Sequence, residues 1–119
     1  VPKTIDNDLN GTDHCPGFGS AAKFIATTCM EVHRDAHVYD TGMVTIIEIM
    51  GRHAGWLAGA ACLAGGEDCE GPDLILLPEV PFDQDKFLAK VDAIAASVNV
   101  TVTISADAAV LPADVQKYL

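Results

Sequence analysis

Apolar positions along the chain switch repeatedly between helical and strand periods. In "PGFGSAAKFIATTCMEVHRDAH", Ala21, Phe24, Ile25 and Thr28 recur at helical spacing behind a Pro and Gly entry, with Ser20 as an N-cap candidate. That pattern predicts a helix from about Phe18 to Asp35. "MVTIIEIM" is a short β-branched run, apolar on both faces as a buried parallel strand is. It stops at "GRHAGW", and the small apolar segment "HAGWLAGAACLAGG", closed by a glycine pair, predicts a tightly packed helix. After Pro72, "DLILLPE" reads as a second strand. "FDQDKFLAKVDAIAASVN" follows with Asp83 as cap and Phe87, Leu88, Val91, Ile94 and Ala95 as its apolar face. "VNVTVTIS" reads as a third strand and "PADVQKYL" as a short helix.

Strands separated by helices imply right-handed crossovers and an α/β fold, a parallel sheet with helices on both faces. With 119 residues, 50% of them hydrophobic, the chain suits a single domain over residues 1–119 without an internal linker, repeat or low-complexity tract. Its first residue is Val1, and Val1-Pro2 reads as the carboxyl end of a strand that begins earlier, so the chain is expected to be part of a longer one. Val1 to Ile5 and "VNVTVTIS" are then expected to be exposed sheet edges.

Charge and cysteine usage narrow the function classes. A net charge of −10 with seven Lys and Arg argues against a nucleic-acid partner, whose phosphates need clustered cations. Glu48, Arg52 and the glycines interrupt the apolar runs well short of the roughly 18 to 20 residues of a membrane span, so no membrane association and a cytoplasmic location are expected. Cys15, Cys29, Cys62 and Cys69 make no C-x-x-C pair and read as free thiols. His33 and His37 are four apart on a helix, but Arg34 stands where H-E-x-x-H needs glutamate; two histidines in a last helical turn suit the dipole better than a metal. Trp56 reads as a core or interface anchor.

Ligands of open α/β sheets bind beyond the carboxyl ends of the strands. Two stretches qualify, "PKTIDND" and "MGRHAGW", and their charged residues Lys3, Asp6, Asp8 and Arg52 are expected to converge on one edge. Asp6, Asp8, Asn10 and Gly11 also have the spacing of the first half of an EF-hand. The twelfth position from Asp6 is Gly17, not the bidentate Glu that loop requires, and Pro16 would break the exiting helix. Neither G-x-G-x-x-G nor a Walker A sequence is present.

"PKTIDND", "EIMGRHAGW" and "LLPEVPF", in this order and separation, resemble the phosphofructokinase family over Val1 to about Asn99. The resemblance implies a Rossmann-like sheet and transfer of a phosphoryl group to the 1-hydroxyl of fructose 6-phosphate in glycolysis, with Mg2+ as cofactor and a homo-oligomeric parent. It also implies roles. Asp6 is the base for the sugar hydroxyl and Asp8 helps hold the sugar and the magnesium environment, while Thr4 hydrogen-bonds near the transferred group. Met50 packs the sugar, Gly51 offers its N–H, and Arg52 neutralises phosphoryl charge. Lys3 stands where ATP-using relatives carry Gly and pyrophosphate-using relatives carry Lys, so pyrophosphate rather than ATP is the expected donor.

The chain departs from the family pattern in three ways. Met43 occupies the place of an Arg that ATP-type relatives carry nine residues before the M-G-R arginine, and Ala106 replaces the sugar-contacting Glu of S-E-G. The donor-side loop and the groups that grip the 6-phosphate are not in these 119 residues, so the chain alone is expected to be inactive. Glu79 falls where some relatives bind an effector, a role not carried over. The alternative is a non-catalytic sugar-phosphate-binding or interaction module of the same fold.

Overall fold

The computed structural model describes residues 2–40, 42–96 and 99–105, with backbone alone at 104 and 105. Helix α1 (Phe18–Ala36) leads into strand β1 (Val44–Ile49). The short helix α2 (Trp56–Ala60) runs on into a 3-10 turn over Ala61–Ala64 and is followed by strand β2 (Leu74–Leu76). Helix α3 (Gln84–Ala95) and strand β3 (Val100–Ser105) complete the order, which is the one predicted. The helix predicted in "PADVQKYL" lies outside the described residues.

The sheet is parallel with strand order β1-β3-β2. β3 therefore lies between two strands and is not the exposed edge expected from the sequence, while residues 2–5 belong to no strand. The composition of β3 explains its place: Val100, Thr101, Val102 and Thr103 are all fully buried, as only a strand covered on both faces can be. Burying each valine contributes about 1.5 to 3 kcal/mol. Thr101 and Thr103 face α1 and α2, since the Thr101 hydroxyl shares a hydrogen bond of 3.1 Å with Nδ1 of His33. Val100 and Val102 consequently face the other way, toward α3, whose Val91 is its one buried residue.

On the α1 side, Cys29, Ile49, Leu57, Ala58, Ala61 and Ala64 form the apolar centre, with Ile5, Ile25, Ile47, Ile75 and Leu77 packed on it. The buried face of α1 is Ala22, Cys29, His33 and Ala36. Phe24 stands two residues from Ala22, about 200° round the helix, and is exposed, whereas Ala21 and Ile25 of the predicted face are partly buried against the apolar centre. Ser20 does not cap the helix; the N-cap is Gly17, at φ 91°. Trp56 is exposed too, and lines a cavity of about 990 Å3 between α1 and α2 with Phe18, Ala22 and Leu63 rather than filling the core. Asp83 caps α3 as predicted, accepting the Lys86 backbone N–H at 3.1 Å.

Two further contacts tie the elements together. The Asn99 side chain accepts the Met43 N–H at 2.8 Å and donates to the carbonyls of Ala36 and Tyr39 at 2.8 and 3.0 Å, joining the end of α1 to the starts of β1 and β3. Glu79, beyond β2, accepts the Gly55 N–H at 2.7 Å and so holds the start of α2. A Cβ on Gly55 would stand 2.7 Å from Oε2 of Glu79, 2.9 Å from Leu77 and 3.1 Å from Pro78. All four cysteines are free, as expected, and Cys62 is exposed. No helix among the described residues is long and apolar enough to cross a membrane.

Two measurements test this packing. Gly55→Ala forces Leu77 and Pro78 to move, and overpacking of this kind costs about 1 to 3 kcal/mol, so the thermal midpoint should drop by several degrees; an unchanged midpoint would contradict the close approach. Burial, reinforced by the His37 ring 4.0 Å away, lowers the His33 pKa below the usual histidine value, with Asp73 and Glu70 opposing. Below that usual value of about 6.5 the unfolded chain binds more protons than the folded one. The stabilising contribution is therefore present above that pH and lost as pH falls through the lower folded value. Denaturation midpoints should decline between pH 7 and 5, and His33→Gln should flatten that decline; equal slopes would refute it.

Candidate functional site

Because β1, β3 and β2 are parallel, the segments after β1 and β2 emerge at one edge of the sheet, on either side of the end of β3. Met50, Gly51 and Arg52 follow β1 there, and Leu77 to Val80 follow β2. Gly51 is buried at φ 132°, a conformation that disfavours any side chain, and it turns the chain so that Met50 and Arg52 are both exposed. The Glu79 bond to Gly55 then holds this loop against the one beyond β2. A carboxylate considered only as a possible effector contact thus has a defined structural partner.

The acidic segment is anchored separately. Ile5 packs on the apolar cluster to which Ile49, the last residue of β1, belongs. Asp6, next in the chain, is half-buried, and its backbone N–H donates to the Thr4 hydroxyl at 3.2 Å. Its Oδ1 is buried and has no hydrogen-bond partner among the described residues. Such an oxygen is costly unless something supplies a donor. Lys3 and Asp8 are exposed. Among the described residues no ion pair joins Arg52 to Asp6 or Asp8, and Lys86 with Asp83 is the one such pair.

Asn7 escaped the sequence reading. It is buried between the two aspartates at φ 61°, the one non-glycine residue with positive φ among those described. Its Oδ1 accepts the Cys15 N–H at 2.7 Å and its Nδ2 donates to the Asp13 carbonyl at 3.1 Å. The available signal was its type, since Asn tolerates the left-handed region and bonds to nearby backbone. Ala106 lies outside the described residues.

No group of three or more His, Cys, Asp or Glu that could hold a metal occurs among the described residues. His33 and His37 are used otherwise, His37 Nδ1 bonding to the His33 carbonyl at 2.7 Å in the last turn of α1. The half EF-hand likewise does not close on itself: Asn7 turns the chain toward residues 13 to 15 instead.

Known proteins share this arrangement. The phosphofructokinase family matches residues 1–118. A pyrophosphate–fructose 6-phosphate 1-phosphotransferase of Xanthomonas campestris is 54% identical over 109 residues, 90% of this chain and 26% of the relative. An ATP-dependent 6-phosphofructokinase of Chloroflexus aggregans is 45% identical over 93 residues, 78% of this chain and 24% of the relative. The crystal structure of the pyrophosphate-dependent phosphofructokinase of Marinobacter aquaeolei superposes with a TM-score of 0.80 and 49% identity over 88% of this chain and 28% of its own. The chain thus spans about a quarter of the length of these relatives. With the family matching nearly the whole chain and the Marinobacter structure superposing on most of it, the chain belongs to the phosphofructokinase family.

Proposed function

We propose that residues 1–119 form part of the catalytic domain of a cytoplasmic, homo-oligomeric phosphotransferase that moves a phosphoryl group from pyrophosphate to the 1-hydroxyl of fructose 6-phosphate. The observation that carries this reading is the half-buried Asp6, one of whose oxygens lacks a donor among the described residues, in a loop seated on the core beside β1. A carboxylate held in place yet still partly exposed is what a base for a sugar hydroxyl requires. Asp6 takes the hydroxyl proton as that oxygen bonds to the terminal phosphorus, the bridging P–O bond breaks, and orthophosphate leaves. Arg52, exposed and extending from the tight Gly51 turn, neutralises charge on the transferred group. Thr4, Asp8, Met50 and Gly51 contribute to the sugar and phosphate surroundings.

No cluster of three or more metal ligands occurs among the described residues, and magnesium is usually held by one or two carboxylates together with substrate phosphates. Asp8 would be the carboxylate that contributes to holding it. The ion, when bound, would offset charge on the donor phosphates. Lys3 supports pyrophosphate as donor: it is exposed on the segment that carries Asp6, free to meet a small phosphate donor, and the Xanthomonas and Marinobacter relatives use pyrophosphate. The Chloroflexus relative is ATP-dependent.

The test is kinetic, in the full-length enzyme. Asp6→Asn should lower kcat at least ~100-fold and leave sugar-phosphate binding largely intact, because a base acts in the transition state. A raised KM with unchanged kcat would make Asp6 a binding residue instead. Lys3→Gly should weaken use of pyrophosphate selectively, and unaffected pyrophosphate turnover would refute the donor assignment. The 119 residues by themselves should show no turnover, since donor and acceptor must be held in line. Sugar-phosphate binding without turnover in the full-length protein would favour the non-catalytic module.

A further inference from the structure

We infer that Asn7 is a positioning residue, the fulcrum that fixes the directions of Asp6 and Asp8; the inference rests on the catalytic reading of that loop. Both aspartates flank a backbone turn that few side chains accept. Asn7 has φ 61°, where β-branched or bulky residues are strained, and Asn and Gly are tolerated. Successive residues on either side of such a turn leave the chain in different directions. The turn accordingly decides how Asp6 is directed inward, half-buried, while Asp8 is exposed.

The Asn7 side chain then locks the turn. Its amide uses an acceptor and a donor at once, taking the Cys15 N–H at 2.7 Å and giving to the Asp13 carbonyl at 3.1 Å. Cys15 is itself buried, and its carbonyl accepts the Phe18 N–H at 3.1 Å, the first amide of α1. The acidic loop is thereby connected through two residues to the amino end of the longest helix, whose Cys29 belongs to the apolar centre. On the other side of Asp6, the Thr4 hydroxyl receives the Asp6 N–H. Asp6 is therefore constrained on both sides, by the Thr4 hydroxyl before it and the Asn7 turn after it. Misplacement of reacting groups by an ångström can cost on the order of 100-fold in rate, so a clamp of this kind affects turnover more than binding.

Two substitutions separate the parts of the device in the full-length enzyme. Asn7→Gly keeps the backbone angle freely accessible and deletes both amide bonds; Asn7→Ala deletes the bonds and strains the angle as well. With kcat normalised to sites that bind fructose 6-phosphate, Asn7→Gly should lower kcat at least ~10-fold with KM within about twofold, and Asn7→Ala should lower it further. Wild-type kcat in Asn7→Gly would overturn the inference, as would a loss confined to the fraction of folded sites. If the unmodified enzyme shows no phosphoryl transfer, the functional reading fails, and the clamp is judged on amide exchange at Cys15. Slow exchange made fast by Asn7→Gly supports it, and fast exchange in both refutes it.

Discussion

Parallel pairing on both sides of β3 is the constraint from which the rest follows. A strand buried on both faces needs apolar or hydrogen-bonded side chains throughout, and Val100 to Thr103 meet that demand with two valines toward α3 and two threonines toward α1 and α2. Since β1 and β2 run with β3, what leaves one strand at its carboxyl end meets what leaves the other. The loop after β1 that carries Arg52 and the loop bearing Glu79 are thereby neighbours, and the Gly55 N–H, donating to the Glu79 carboxylate, joins them. Chemistry at this edge is inherited from topology before any side chain is chosen.

Local backbone geometry then refines what topology provides. Gly51 at φ 132° and Asn7 at φ 61° are the turns beside the two charged groups assigned to catalysis, Arg52 and Asp6. Unusual angles persist only where surrounding contacts determine them. At Asn7 these are the two hydrogen bonds of its side-chain amide, while Gly51 has no side chain to strain. The buried oxygen of Asp6 is the counterpart of this rigidity, a group held in place without a protein donor among the described residues.

Element order and the parallel sheet were legible because apolar runs of strand length alternate with helical periods, and Asp83 was legible because a cap is a local device. The family was legible from three motifs. Strand order was not, since "VNVTVTIS" reads alike at an edge or in the centre; only burial of Thr101 and Thr103 distinguishes them. Phe24 misled for a related reason: α1 buries small residues, Ala22, Cys29 and Ala36, where α2 packs close, and Phe24 lies outside that contact. Trp56, read as a core or interface anchor, is exposed and so does not fill the core. Asn7 and Glu79 act through bonds to backbone 8 and 24 residues away, which no local pattern reveals.

The central claim is that the loop of Asp6 and the loop of Arg52 serve one phosphoryl group. A crystal structure of the full-length enzyme with fructose 1,6-bisphosphate tests it most directly. The account predicts the 1-phosphate within about 3 Å of the Arg52 guanidinium, with the Asp6 carboxylate at the same distance from the sugar's O1. A bound product whose 1-phosphate meets neither residue, or meets Arg52 while Asp6 lies beyond hydrogen-bonding reach, would contradict it.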